Sequence, residues 1–219
     1  MNHPIITAEA PILLVGGGEF RHADLTLAQT WAGRAVAADS GALVLLRHGV
    51  TPEAVIGDFD SLPAETRAAL SPDTLHHIAE QDSTDFDKCL RNIEAPLILG
   101  LGFLGARVDH QLSVFNRLAA RADRPCILIG REDVVFPAPP RLALDLAAGT
   151  RVSLFPLRPV TGQSTGLRWP IHGIDFTPGG RVGTSNEALA TEVKLEMDGP
   201  GMLVILPRDC LDAAVRAVL

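Results

Sequence analysis

The sequence predicts an α/β protein. A parallel sheet covered by helices comes first, and a small antiparallel β-domain follows. Three observations predict this. Over the first 130 residues, short apolar runs alternate with helical patterns at the spacing of βα units. Near Val134 the helical patterns give way to short strand candidates separated by Gly and Pro. Acidic residues recur just past the ends of the predicted strands, where an open parallel sheet binds its ligands. The division is placed at 1–133 and 134–219.

Each element has a local reason. Ile12–Val15 is an apolar run closed by Gly16-Gly17-Gly18, so it predicts a buried strand. Arg34–Ala38 predicts a second strand, ending at Asp39, and Ala42–His48 a short helix. Ala54–Ile56 predicts a third strand, running into Gly57–Leu62. Pro63–Leu70 opens with Pro and continues with helix formers. Thr74–Ile78 predicts a fourth strand. In the helix predicted for Thr84–Ile93, Phe86, Cys89, Leu90 and Ile93 share a stripe. Pro96–Leu99 and Cys126–Ile129 predict the fifth and sixth strands. Between them Asp109–Ala122 predicts a helix with Leu112, Phe115, Leu118 and Ala119 on one face. Beyond Pro137, Pro139 and Pro140, strands are predicted at Arg141–Leu146, Arg151–Leu157, Leu167–Ile171, Val193–Met197 and Met202–Leu206. Leu211–Leu219 predicts a closing helix.

Composition excludes several classes. The 219 residues are 47% hydrophobic and 21% charged, too apolar for a disordered chain. No apolar run approaches the ~20 residues that span a bilayer, and the first residues lack a secretory pattern. Cys89, Cys126 and Cys210 are too far apart for a metal pair and odd in number, so a reducing cytoplasm is expected. The net charge is −7, and residues 1–90 hold 13 acidic but only 5 basic side chains. That balance argues against a nucleic-acid groove. It suits a divalent cation serving an anionic substrate.

Asp39, Asp58, Asp85 and Asp109 succeed one another at steps of 19, 27 and 24 residues, each about one βα unit. They are therefore expected at one rim of the sheet. Carboxylates brought together there repel unless a cation such as Mg²⁺, which takes oxygen ligands, lies among them. The alternative is that an Asp caps a helix or turn, and for Asp82 and Asp109 that reading is as good. Asp58 and Asp60 point the same way if the backbone between them stays extended. Lys88 lies one helical turn past Asp85 and would reach the same rim. Gly16–Gly18 follows a strand, where free backbone N–H groups could hold phosphate, or it forms a simple tight turn. No GxxxxGK[ST] occurs, which excludes a P-loop ATPase. Gly100–Gly105 (GLGFLG) matches the dinucleotide pattern, but Arg107 and Asp109 follow at once, and an acid so close opposes a pyrophosphate.

These motifs together resemble the thiamine pyrophosphokinase family. They are ADSGA at 38–42, GDFDS at 57–61, DSTDFDKCL at 82–90, GLGFLGARVDH at 100–110, STGLRWPI at 164–171 and GTSNE at 183–187. The resemblance implies a Rossmann-like α/β nucleotide-binding domain followed by a β-sandwich domain, in a homodimer. It implies pyrophosphoryl transfer from ATP to thiamine, giving thiamine diphosphate and AMP, with Mg²⁺ as cofactor. It assigns the metal to Asp58, Asp60 and Asp85. It adds Lys88, Arg107 and Asp109 to the catalytic set. ATP falls to Gly17, Gly18, Asp39, Ser40, Gly41, Asp82, Thr84 and Arg107, and thiamine to Asp109, Ser185 and Asn186; Trp169 either stacks on the cationic ring of thiamine or, as a lone aromatic in a strand, belongs to the core. Asp82 and Asp109 are both candidates to accept the hydroxyl proton. Where many relatives have Gly-Gly, this chain has Ser40-Gly41, and it has Gly105-Ala106-Arg107 in place of Gly-Gly-Arg. The rival readings are a hydroxymethylpterin pyrophosphokinase, an NAD(P)-dependent oxidoreductase, and a non-catalytic sensor of thiamine or nucleotide.

Overall fold

The structure is a computed structural model that describes residues 3–105 and 107–219. Ala106, one of the two departures from the family pattern, lies outside the described residues. The elements run β1 (Ile6–Thr7), β2 (Ile12–Val15), α1 (His22–Gln29), β3 (Arg34–Ala38), α2 (Gly41–Arg47), β4 (Ala54–Gly57), α3 (Ala64–Ala68) and β5 (Leu75–His77). They continue with α4 (Asp85–Asn92), β6 (Ile93–Glu94), β7 (Ile98–Leu101), α5 (Val108–Ala120) and β8 (Cys126–Ile129). Then come β9 (Asp133–Pro137), β10 (Arg141–Asp145), β11 (Arg151–Pro156), β12 (Gly162–Thr165), β13 (Gly183–Glu187), β14 (Glu192–Met197), β15 (Met202–Pro207) and α6 (Leu211–Val218).

The chain divides into two compact units. The first runs to Arg117 and includes Leu128–Gly130; the second holds Leu118–Ile127 and Arg131–Leu219. In the first unit β2 pairs in parallel with both β3 and β7, β3 with β4, and β4 with β5. The chain moves outward from β2 through β3 and β4 to β5, then returns to β7 on the other side of β2. The direction of winding therefore reverses between β2 and β7, and the crevice at their carboxyl ends is the switch point of the sheet. Every residue of β2, β4, β7 and β8 is buried, as expected of strands covered on both faces. Phe103 seals the switch point: its ring packs over the backbone of Gly16 and Gly100 and meets the Phe86 ring at 4.8 Å.

The second unit is antiparallel. Its strands lie in the orders β13-β11-β15-β9 and β10-β14-β12. The alternation of β10 and β14, in which Leu142, Leu144, Val193, Leu195 and Met197 are buried, gives each strand one apolar face.

Some elements depart from expectation. Leu167–Ile171 is not a strand; among the described residues only Leu167 bridges, to Ala188. The polar segments GQST and GTSNE instead form β12 and β13, because neighbouring strands supply the pairing that their composition does not suggest. Helix α1 was not foreseen. Its start is built by Asp24, whose carboxylate accepts from Arg21 N–H at 3.0 Å. On α5, Leu112 is 63% exposed rather than on the core face, and Val114 takes its place beside Leu118 and Ala119.

Gly41 opens α2 hard against the end of β2, where a Cβ would overlap the Val15 carbonyl oxygen. Gly41→Ala is expected to lower stability by about 1–3 kcal/mol in urea unfolding. Gly33→Ala, where a Cβ meets nothing within 4 Å, should stay within about 0.5 kcal/mol of wild type.

Candidate functional site

Asp39 is the first residue past β3. Its backbone takes a left-handed φ of 45°, and its N–H donates to Ile56 O at 3.1 Å, so the strand edge fixes it. The side chain is buried. Oδ2 accepts from Ser61 N–H at 3.2 Å, while Oδ1 is buried with no partner. Asp58 and Asp60 follow β4. The backbone between them is not extended: Phe59 sits at φ 65° and turns inward, packing against His77 and beneath Arg67. The kink still brings the two acids together, with Asp60 N–H donating to Asp58 Oδ1 at 3.3 Å. One carboxylate oxygen from each of Asp39, Asp58 and Asp60 lies within 4.8 Å of the others. Gly57 makes room for this, since a Cβ there would stand 3.0 Å from Asp39 Cβ and 3.1 Å from Asp85 Oδ1.

Helix α4 adds the counter-charge. Thr84 caps it, its hydroxyl accepting from Asp87 N–H at 3.3 Å, and this sets Asp85 and Lys88 on the helix turn that faces the acids. Lys88 is 1% exposed, and its Nζ donates to Asp58 at 2.8 Å and Asp85 at 3.1 Å. Gln81, which sequence reasoning passed over, donates to the same Asp58 oxygen at 3.1 Å. Asp82 is exposed and stands outside these contacts. The electrostatics follow from the contacts. Burial, reinforced by Asp85, pushes Asp39 up to about 6. The hydrogen bond from Lys88 pulls Asp58 below the usual carboxylate range. Burial raises Asp85 although Lys88 opposes it. Burial works against the charge on Lys88, but its bonds to Asp58 and Asp85 outweigh this and raise it.

The donor set fits a hard divalent cation. All three converging groups are carboxylates, and Asp39 Oδ1 is buried without a partner among the described residues. One oxygen each of Asp39, Asp58 and Asp60 converges, and Lys88 bonds both Asp58 and Asp85, so Asp85 borders the same group.

The glycine loops meet each other. Gly16 N–H donates to Leu101 O at 2.8 Å and Gly18 N–H to Gly102 O at 3.0 Å, so these two groups face the neighbouring loop. Gly102 has φ 75°, and a Cβ on it would lie 2.7 Å from Gly16 O. A Cβ on Gly17 would overlap the Ser40 hydroxyl, which places the Ser40-Gly41 step against this loop. Beyond it, Arg107 grips Asp109 through two bonds of 2.7 and 3.2 Å, both side chains exposed. That grip holds Asp109 at about 2. No hydrogen bond or ion pair seen among the described residues joins this pair to Asp39, Asp58 or Asp60.

In the second unit, β11 and β13 slip register between Val152 and Leu154. The bulge puts Ser185 at φ 61°, and its N–H is caught by the buried Ser153 hydroxyl at 3.0 Å. Asn186 is buried next to it, and Trp169 is 55% exposed with the Arg168 guanidinium 5.1 Å from its ring centre. Ser153 had no signal in the sequence, because its role exists only through the bulge.

Two family descriptions match the chain: "Thiamin pyrophosphokinase, catalytic domain" over residues 26–128 and "Thiamin pyrophosphokinase, vitamin B1 binding domain" over 141–201. Thiamine pyrophosphokinase 1 of Oryza sativa subsp. japonica is 27% identical over 70% of this chain and 65% of its own length. Thiamine pyrophosphokinase of Bacillus subtilis is 26% identical over 70% of this chain and 78% of its own. The chain spans a little under two thirds of the length of the plant relatives it matches. The crystal structure of the thiamin pyrophosphokinase of Geobacillus thermodenitrificans superposes with a TM-score of 0.72 at 28% identity, covering 90% of this chain and 96% of that one. That of Candida albicans, at 16% identity and a TM-score of 0.77 over 92% of each chain, shares the fold.

Lys88→Met removes the cation that bonds both Asp58 and Asp85. It is expected to lower stability by about 2–3 kcal/mol in urea unfolding at neutral pH, short of the full penalty because Asp85 keeps part of its surface in water. A variant as stable as wild type would show that the lysine does not compensate the acids.

Proposed function

The chain belongs to the thiamine pyrophosphokinase family, and from that premise we propose that it transfers a pyrophosphoryl group from ATP to the hydroxyl of thiamine, giving thiamine diphosphate and AMP. One observation carries the reading. Asp39, Asp58 and Asp60 converge beside the buried Lys88, within the segment that matches the catalytic domain. Asp39, Asp58 and Asp60 would hold Mg²⁺, with Asp85 in support; when bound, Mg²⁺ supplies the positive charge that offsets phosphate oxygens.

The chain's own groups do the rest by placement and charge. Reaction at a phosphorus centre through a loose transition state asks the protein chiefly to align the reactants and to neutralise spreading charge. Lys88 is a fixed, dry cation whose partners hold it in place. The guanidinium of Arg107 can grip phosphate oxygens in two prongs once it releases Asp109. Asp109, held at about 2 by Arg107, is a weak base in that pairing and would accept the hydroxyl proton only once Arg107 lets go; Asp82 is the other candidate. Gly17, Gly18, Ser40 and Gly41 belong to the proposed ATP end chiefly as the close-packed groups that shape it, and Thr84 as the cap of α4.

Thiamine is proposed to use the second unit, with the Trp169 indole offering a face to its flat, cationic ring and the bulged Ser185 a hydroxyl. In the same proposal the parallel sheet is read as Rossmann-like and the antiparallel strands as a β-sandwich. The domains are read as 1–133 and 134–219, and the enzyme as a cytoplasmic homodimer. The dinucleotide reading gains no support from GLGFLG, where Gly102 packs on the Gly16–Gly18 loop and Gly100 on Leu128 and Phe103, while a Cβ on Gly105 would meet nothing within 4 Å.

The test is incubation with ATP, Mg²⁺ and thiamine, measuring AMP and thiamine diphosphate together. Asp58→Asn and Asp60→Asn are each expected to lower turnover at least ~100-fold while the protein stays folded. Near-normal activity of both at limiting Mg²⁺ would remove the metal from these acids. Arg107→Lys is expected to lower turnover about tenfold or more with little change in thermal stability. NAD or NADP binding that survives loss of Arg107 would overturn the enzyme class.

A further inference from the structure

The family resemblance places Asn186 among the groups that touch thiamine. Its contacts give it different work. Asn186 lies in β13 and is buried. Its Oδ1 accepts from Trp169 N–H at 3.1 Å and from Glu187 N–H at 2.8 Å, and its Nδ2 donates to Trp169 O at 2.7 Å. Both lone pairs of the oxygen are engaged, and so is one of the two amide hydrogens. The side chain holds both polar groups of the Trp169 backbone at once, as a partner strand would. Trp169 needs such a partner, because its segment is not a strand and Pro170 follows it.

The surroundings complete the grip. Arg168 N–H donates to Glu187 O at 2.8 Å on one side of Trp169, and Ile171 N–H to the Ser164 hydroxyl at 3.1 Å on the other. The Arg168 guanidinium stands 5.1 Å from the indole centre and reaches Glu187 at 3.4 Å. A large aromatic ring is thus left half in water while its backbone is tied at every polar atom. Burial would satisfy such a ring better, and rigid presentation to a flat ligand accounts for both features.

We infer that Asn186 is a positioning residue that sets thiamine affinity by holding Trp169, without itself contacting the substrate. This rests on the reading of the second unit as the thiamine-binding part. The charge of the substrate separates the alternatives. If Asn186 met the cationic ring directly, the negative charge of Asn186→Asp would favour thiamine; a bond from its remaining amide hydrogen would instead be lost, and the Trp169→Ala background tells that case from the loss of Trp169. If it holds Trp169, the same change sets a carboxylate against Trp169 O and loosens the ring.

The experiment compares wild type, Asn186→Asp, Asn186→Ala, Trp169→Ala and the Asn186→Ala/Trp169→Ala double variant in steady-state kinetics. Thermal melts accompany each. Asn186→Asp is expected to raise KM for thiamine about tenfold, with kcat and KM for ATP within about twofold of wild type. In the Trp169→Ala background, Asn186→Ala should add nothing further to KM. A second readout needs no substrate: in a Trp31→Phe background, the fluorescence anisotropy of Trp169 should fall when Asn186 is changed to Asp. The inference is overturned by unchanged or tighter thiamine binding in Asn186→Asp, by Ala effects that multiply, or by unaltered anisotropy. Should wild type convert no thiamine, the reading of the second unit fails on its own, and the anisotropy still decides whether Asn186 holds the ring.

Discussion

The first unit depends on how charge is balanced at the ends of β3 and β4. Asp39, Asp58, Asp60 and Asp85 crowd there, and Lys88 is the cation bonded within the group. Two unit charges at such separations interact by about 4 kcal/mol even where water partly screens them, so the crowd is tolerable only with compensation. Lys88 serves Asp58 and Asp85. Asp39 lies deeper, and among the described residues the Ser61 N–H is its one side-chain partner, so burial raises it toward neutrality. The helix cap at Thr84, the left-handed turn at Phe59 and the bare backbone of Gly57 all serve this arrangement. Each is a local device whose purpose is visible only at the point where the acids meet.

Backbone proximity is the second constraint. The loops after β2 and β7 approach until carbonyl oxygens lie where a side chain would begin, at Gly16, Gly18 and Gly102. A glycine-rich loop is commonly read as a phosphate cradle, but here much of the glycine is explained by loops packing on each other and on the Phe103 ring. The outcome is a stiff floor at the switch point, built from peptide groups.

The sequence made part of the sheet interior legible to the residue, while the strand expected at Pro96–Leu99 runs Ile98–Leu101. Arg34–Ala38 and Cys126–Ile129 are strands with the bounds their apolar runs suggest, because strands covered on both faces need uninterrupted apolar residues. Where a partner rather than composition makes the strand, as for GTSNE and GQST, no such signal exists. Leu167–Ile171 looks apolar enough for a strand, yet Asn186 takes up the backbone of Trp169 and the ladder does not form there. The acids were legible as a rim but not as a set. Spacing along the chain could not show that oxygens of Asp39, Asp58 and Asp60 would converge while Lys88 bonds both Asp58 and Asp85. Leu112 misled because helical spacing alone did not tell the core face of α5 from its neighbour.

The burial of Lys88 has an effect on the chemical surface of the molecule. The chain has two lysines, and the second, Lys194 on β14, is exposed. All other basic side chains apart from histidine are arginines, which do not acylate under ordinary conditions. Reagents aimed at lysine amines therefore find Lys194 in the second unit and none within reach in the first. An acetyl group placed enzymatically on a lysine side chain would therefore mark Lys194 in the antiparallel part and not Lys88.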